Sequence, residues 1–136
     1  MSCHPPVASV EDRAYTRSTQ FFTELGFSFD QQFSDENTTC MIISDDTYAM
    51  LHAEATFRQF TGTDVTDTSK SREVIVGLST DTREQVDDLV DKALAAGAQP
   101  LGEPQDQGFM YMRAFRDLDG HQWSFLCMDM SAVPGQ

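Results

Sequence analysis

Apolar positions in this chain recur with two different periods, and the period changes mark out its elements. From Asp81 to Gly97, Val86, Leu89, Val90, Ala93 and Leu94 recur three, four, seven and eight positions apart. That spacing is the buried stripe of an amphipathic helix. Asp81 stands where a cap is needed, with Glu84 three residues on, and Gly97 supplies a left-handed stop. A second stripe, Ala14, Ser18, Phe21, Phe22 and Leu25, predicts a helix over about 9–25, closed by Gly26. Between and after these helices, β-branched and alternating runs predict strands: Glu73–Ser79, Cys40–Ser44, Tyr48–His52, Phe109–Phe115 and His121–Cys127. Asp45-Asp46-Thr47 and Asp117-Leu118-Asp119-Gly120 are the turns expected inside the two hairpins. Gly26–Asp30 and Ala98–Leu101 read as short strands leaving the helices.

The elements occur twice in the same order: strand, helix, three strands. A polar, Thr-rich connector from roughly Glu54 to Ser71 separates the two runs, with Phe57 and Phe60 expected to anchor it. Both helices end in a small-residue stop, Leu25-Gly26-Phe27 and Ala96-Gly97-Ala98, which points to a duplicated module. The length of 136 residues suits one ordinary domain that buries a real core. Module one is expected over about 1–55, the connector over about 56–71 and module two over about 72–130.

Charge and cysteine content narrow the classes of function. Twenty-two acidic residues against nine basic ones give a formal net charge of −13, the wrong sign for a nucleic-acid binder. Such a balance favours solubility and attracts cations at long range. Cys3, Cys40 and Cys127 form no CxxC pair, so neither a zinc knuckle nor a disulfide framework is indicated. No apolar run approaches the about 20 residues that span a bilayer, and the N-terminal residues lack the pattern of a secretory leader. A cytoplasmic location is the expectation. No Ser/His/Asp order, phosphate-binding loop or dinucleotide fingerprint is present, and Asp87, Asp88 and Asp91 read as a solvated helix face.

Three segments, in order and at suitable spacing, carry a family resemblance. Ser18-Thr19-Gln20-Phe21-Phe22-Thr23-Glu24-Leu25-Gly26-Phe27 is similar to the s-x-x-F-Y-x-x-L-G-F of vicinal-oxygen-chelate proteins, the glyoxalase, bleomycin-resistance and extradiol dioxygenase group. Leu94-Ala95-Ala96-Gly97-Ala98 resembles the end of their second helix. Asp117-Leu118-Asp119-Gly120-His121-Gln122-Trp123-Ser124-Phe125 resembles their C-terminal D-P-D-G-x-x-x-E-F. The resemblance runs from about Pro6 to Met128. It implies an α+β fold in which two βαβββ modules form curled sheets around a cavity, assembled as a homodimer.

In metal-dependent members, His, Glu or Gln ligands from both modules hold a Lewis-acidic metal. Carried onto this chain, those positions read Ser124, Val74 and Leu51, with the first near Ser2 or Val7 in a segment containing two prolines. None is a good ligand. His4, His52 and Glu73 are the remaining metal candidates, each off register. The expected function is therefore metal-independent binding or sequestration of a small organic compound in the cavity between the modules, with no cofactor. The alternative is a glyoxalase-type lyase or isomerase, or a dioxygenase, using Zn, Ni, Mn or Fe. A metal-free enzyme would draw its acid or base from His52 or Tyr111.

Alternation places Gln122, Ser124 and Leu126 on one face of the last strand and Trp123, Phe125 and Cys127 on the other, where Trp123 and Phe125 read as core. On the preceding strand either Phe109, Tyr111, Arg113 and Phe115 or Met110, Met112 and Ala114 line the cavity. An aromatic set suits a planar or anionic ligand; a methionine set suits an adaptable apolar one. The candidate pocket residues are Ser124, Gln122, Tyr111, Phe109, Arg113, Met50 and His52.

Overall fold

The computed structural model describes residues 10–129 and 131, with side chains described from Arg17 onward in the first helix. The chain divides into two compact units between Thr66 and Asp67. The expected strand around Pro5 and Pro6 lies outside the described residues.

The first unit opens with α1, Val10–Glu24. Phe21, Phe22 and Leu25 are buried at its C-terminal end, the two phenylalanine rings edge to face at 4.9 Å. Gly26 follows at φ +106°, and the Phe27 amide donates back to the Phe22 carbonyl, a glycine-dependent helix stop. The chain then forms β1 (Ser28–Phe29), a 3₁₀ turn capped by Asp30, and the hairpin β2 (Thr38–Ser44) and β3 (Thr47–His52). These strands make an antiparallel sheet in the order β1-β2-β3, with a register irregularity between Ile42 and Ser44.

The polar connector is partly helical. Glu54–Thr61 forms α2, ended by Gly62 at φ +73°. A run of Glu, Ala, Arg and Gln has good helix propensity, and Thr content concentrates after residue 61. Phe57 and Phe60 do not anchor it as expected: they are 43% and 74% exposed, and Phe60 only leans on His52 with ring centres 5.0 Å apart.

The second unit contains β4 (Ile75–Thr80), α3 (Arg83–Ala95), β5 (Gln99–Pro100), β6 (Gln105–Asp106), β7 (Met110–Arg116) and β8 (Gln122–Met128). Its sheet runs β4-β8-β7-β5, with β6 also paired to β7. β4 lies parallel to β8, so the chain must cross over between them, and α3 begins that crossover. The cap of α3 differs from expectation by one residue. Thr82, not Asp81, accepts from the Gln85 amide, and Gln85, not Glu84, returns the bond to the Thr82 amide. Val86, Val90 and Ala93 are buried from α3, and Phe115, Trp123 and Phe125 from the strands it covers. Phe115 and Phe125 stack at 5.8 Å. The architecture is mixed α+β, with two open sheets and three α-helices among the described residues.

Candidate functional site

Pairing registers assign the two faces of the second sheet. Ser124 stands opposite Gly77 on β4 and Ala114 on β7; Leu126 stands opposite Ser79 and Met112; Gln122 stands opposite Ile75 and Arg116. Side chains directly opposite share a face. The other face carries Trp123, Phe125 and Phe115 toward α3. It is thus the methionine set, not the aromatic set, that accompanies Ser124.

On the Ser124 face lies a cavity of about 440 Å³ lined by Ile75, Gly77, Leu101, Met112, Ala114 and Leu126 as an apolar floor. Glu103, Gln105, Gln122, Ser124 and the strand segment at Arg113 complete its wall. The volume suits a drug-sized molecule. The side chains of Glu103, Gln105, Gln122 and Ser124 make no hydrogen bond within the described residues, and Ser124 is only 5% exposed. Glu103 and Gln105 are exposed and Gln122 is half-buried, so these polar groups are free to meet water or a ligand at the edge of the apolar floor.

The sequence-derived candidates divide accordingly. Gln122 and Ser124 are in the wall. Tyr111 and Arg113 turn their polar ends to the helix layer instead: the Tyr111 hydroxyl donates to Asp87 Oδ1 at 2.6 Å, and Arg113 Nη1 donates to Asp87 and Asp91 at 3.1 and 3.0 Å. Arg83 closes the cluster, clamping Asp106 bidentately at 2.7 and 2.8 Å with its guanidinium 5.0 Å from the Tyr111 ring centre. The hydrogen bond to Asp87, reinforced by burial, raises the Tyr111 pKa and keeps the hydroxyl protonated, so no phenolate is at hand to take a proton. The same bond lowers the pKa of Asp87. Phe109 precedes β7 and is tied by its carbonyl to the Asp129 amide at 2.7 Å; it is not in the wall.

Met50 and His52 belong to the first unit, on β3. They stand opposite Cys40 and Thr38, and His52 Nδ1 is 2.8 Å from Thr38 Oγ1. Glu73 is exposed just before β4, and His4 lies outside the described residues. Sequence reading missed Leu101, Glu103 and Gln105 in the wall because the first two come from the loop between β5 and β6 and the third opens the two-residue strand β6, and neither has a periodicity to read. Gly77 was inside a predicted strand, but nothing in the letters distinguished it from its neighbours.

A family model described as the glyoxalase/bleomycin resistance protein/dioxygenase superfamily matches residues 8–125. The chain belongs to this superfamily. Solved structures agree with the fold of this superfamily member. A hypothetical protein from S. aureus is 29% identical, with a TM-score of 0.70 over 82% of this chain and 84% of that one. A glyoxalase/bleomycin resistance protein/dioxygenase family enzyme from Burkholderia phytofirmans is 18% identical, with a TM-score of 0.67 over 83% and 89%. A genomically encoded fosfomycin resistance protein from Listeria monocytogenes is 17% identical, with a TM-score of 0.59 over 83% and 81%. No curated protein matches the chain.

The metal implied by metal-dependent members of the superfamily does not fit the donors described. Ser124, at the position of the family's last carboxylate, has Gly77 and Ala114 beside it. Val74 and Leu51 offer no ligand atom. Among the described residues no three His, Cys, Asp or Glu side chains gather so as to hold a metal ion. None of the helices among the described residues is long and apolar enough to cross a membrane.

Proposed function

We propose that this superfamily member binds a small organic molecule on the Ser124 face of its second sheet, without a metal. The observation that carries the reading is the cavity beside Ser124, where an apolar floor meets four polar side chains that have no hydrogen-bond partner among the described residues. A neutral serine in place of a carboxylate suits hydrogen bonding to a ligand better than metal coordination. Holding a compound in this way is the role that metal-free members of the bleomycin-resistance type perform. Three thiols without disulfide spacing support action in the cytoplasm, and the family likeness supports a homodimer.

Gly77 offers the test. A Cβ added there meets only Leu126 Cδ2, at 4.0 Å, and the backbone is not in the left-handed region. Gly77→Val is therefore expected to fold at least as well as the wild type, since a β-branched residue suits a strand. Its methyls enter the cavity. Ligand binding is expected to weaken at least about tenfold, because a filled site excludes ligand volume. Circular dichroism checks folding, and a fragment screen by ligand-detected NMR checks binding. Metal analysis after incubation with Zn²⁺, Ni²⁺, Mn²⁺ and Fe²⁺ is expected to find no stoichiometric ion; near one equivalent per chain, with a raised Tm, would overturn the metal-free reading.

A further inference from the structure

Resting on that reading of the cavity, we infer that its ligand is an apolar molecule carrying one protonated amine, held by Glu103.

The argument concerns charge. Two ionisable residues contribute to the wall, Glu103 and Arg113. The Arg113 guanidinium is turned to α3, where it is shared between Asp87 and Asp91. Arg116 stands in the same row as Gln122, but donates to Gln99 Oε1 at 3.1 Å and to the Thr68 carbonyl at 3.4 Å, outside the wall. No guanidinium therefore reaches into the cavity. Glu103 makes neither a salt bridge nor a hydrogen bond among the described residues. It stands after Gly102, at φ +66°, and before Pro104, whose ring restricts the backbone of Glu103 toward extended conformations.

The rest of the wall fits the same ligand. Gln105 and Gln122 carry amide oxygens, and Ser124 a hydroxyl, all able to accept from an ammonium. Leu101, Met112, Leu126 and Ile75 give the apolar body a deformable surface, methionine being the most adaptable. An anionic ligand would meet the Glu103 carboxylate with no compensating cation, and a chain of net charge −13 would repel it at long range. A neutral apolar ligand would fill the floor but leave Glu103 unused.

Three probes sharing one phenylbutyl body separate these cases: 4-phenylbutylamine, 4-phenylbutan-1-ol and 4-phenylbutanoate. Affinities are read from the methyl resonance of Met112 in the full chain, in the wild type, Glu103→Gln and Gly77→Val. The amine is expected to bind about fivefold tighter than the alcohol, the scale of an exposed ion pair, with the carboxylate weakest. Glu103→Gln lowers the affinity for the amine to that for the alcohol; Gly77→Val weakens all three. Equal binding of amine and alcohol, or an amine preference that survives Glu103→Gln, overturns this inference while the cavity reading stands. Probes that leave Met112 unperturbed, or that bind Gly77→Val as well as wild type, overturn both.

Discussion

Asp117→Ala is expected to lower the stability of the second unit by about 3–4 kcal/mol, with the urea midpoint falling in proportion. Asp117 is buried at the start of the turn between β7 and β8, and its carboxylate accepts three hydrogen bonds. Trp123 Nε1 donates to one oxygen at 2.8 Å, and the Asp119 and His121 amides donate to the other at 2.9 Å each. Alanine leaves the buried indole N–H without an acceptor and releases both loop amides. Orphaned buried donors cost about 1–3 kcal/mol each, and loop amides recover part of that from water.

Asp117→Asn falls between, because an amide can satisfy one side of this arrangement but not both. Trp123 is the sole tryptophan, so its fluorescence reports unfolding of this unit directly. The pH dependence has a definite sign. Burial, the dominant influence, raises the Asp117 pKa despite the hydrogen bonds that oppose it. The folded state thus takes up this proton more readily than the unfolded chain. The destabilisation from the buried charge is present above the raised folded value and is lost as pH falls through it toward the ordinary carboxylate range. Asp117→Asn should lack that component. A midpoint for Asp117→Ala within error of wild type would mean that the three bonds are replaced without cost.

The same turn shows why some of this molecule could be read from its letters. Asp117 to Gly120 is a local device: acceptor side chain, loop amides and left-handed glycine lie within five residues, so their order alone predicts the hairpin. The helix stripes are equally local, and Val86, Val90 and Ala93 are buried as their spacing requires. The N-cap moved by one residue because Thr82 and Asp81 are both competent caps, and the reciprocal bond to Gln85 decides between them. The cavity was only half legible. Alternation puts Gln122, Ser124 and Leu126 together, but the face of β7 depends on which of its side chains α3 attracts. Asp87 and Asp91, read as a solvated face, supply that attraction by engaging Tyr111 and Arg113. That pairing spans more than twenty residues and no period encodes it. Leu101 and Glu103 reach the wall through loop geometry, and Gln105 through a two-residue strand opposite Met112, too short to show a sequence period.

Gly120→Ala is expected to destabilise the same unit by about 2–4 kcal/mol, and Thr68→Gly to restore part of the loss. Gly120 sits at φ +87°, which by itself costs an alanine about 1 kcal/mol. The larger part is steric. An added Cβ would overlap Thr68 Oγ1 and lie 2.8 Å from Thr68 Cβ, closer than real contacts allow. Thr68 cannot easily retreat, because its hydroxyl donates to the Asp119 carbonyl at 2.5 Å and its own carbonyl accepts from Arg116. Arg72 adds a third tie, its Nε donating to the Gly120 carbonyl at 3.2 Å. Residues 68–72 are thus strapped across the turn, and the glycine is required where the strap crosses. Thr68→Gly alone should cost about 1 kcal/mol for its lost hydrogen bond and added chain freedom. If the overlap dominates, the double variant is more stable than the sum of the two single changes predicts, by about 1–2 kcal/mol. Strict additivity would show that the strap yields freely and that backbone conformation at Gly120 accounts for the whole effect. The left-handed penalty survives in both backgrounds, so the coupling energy isolates the contact between strap and turn.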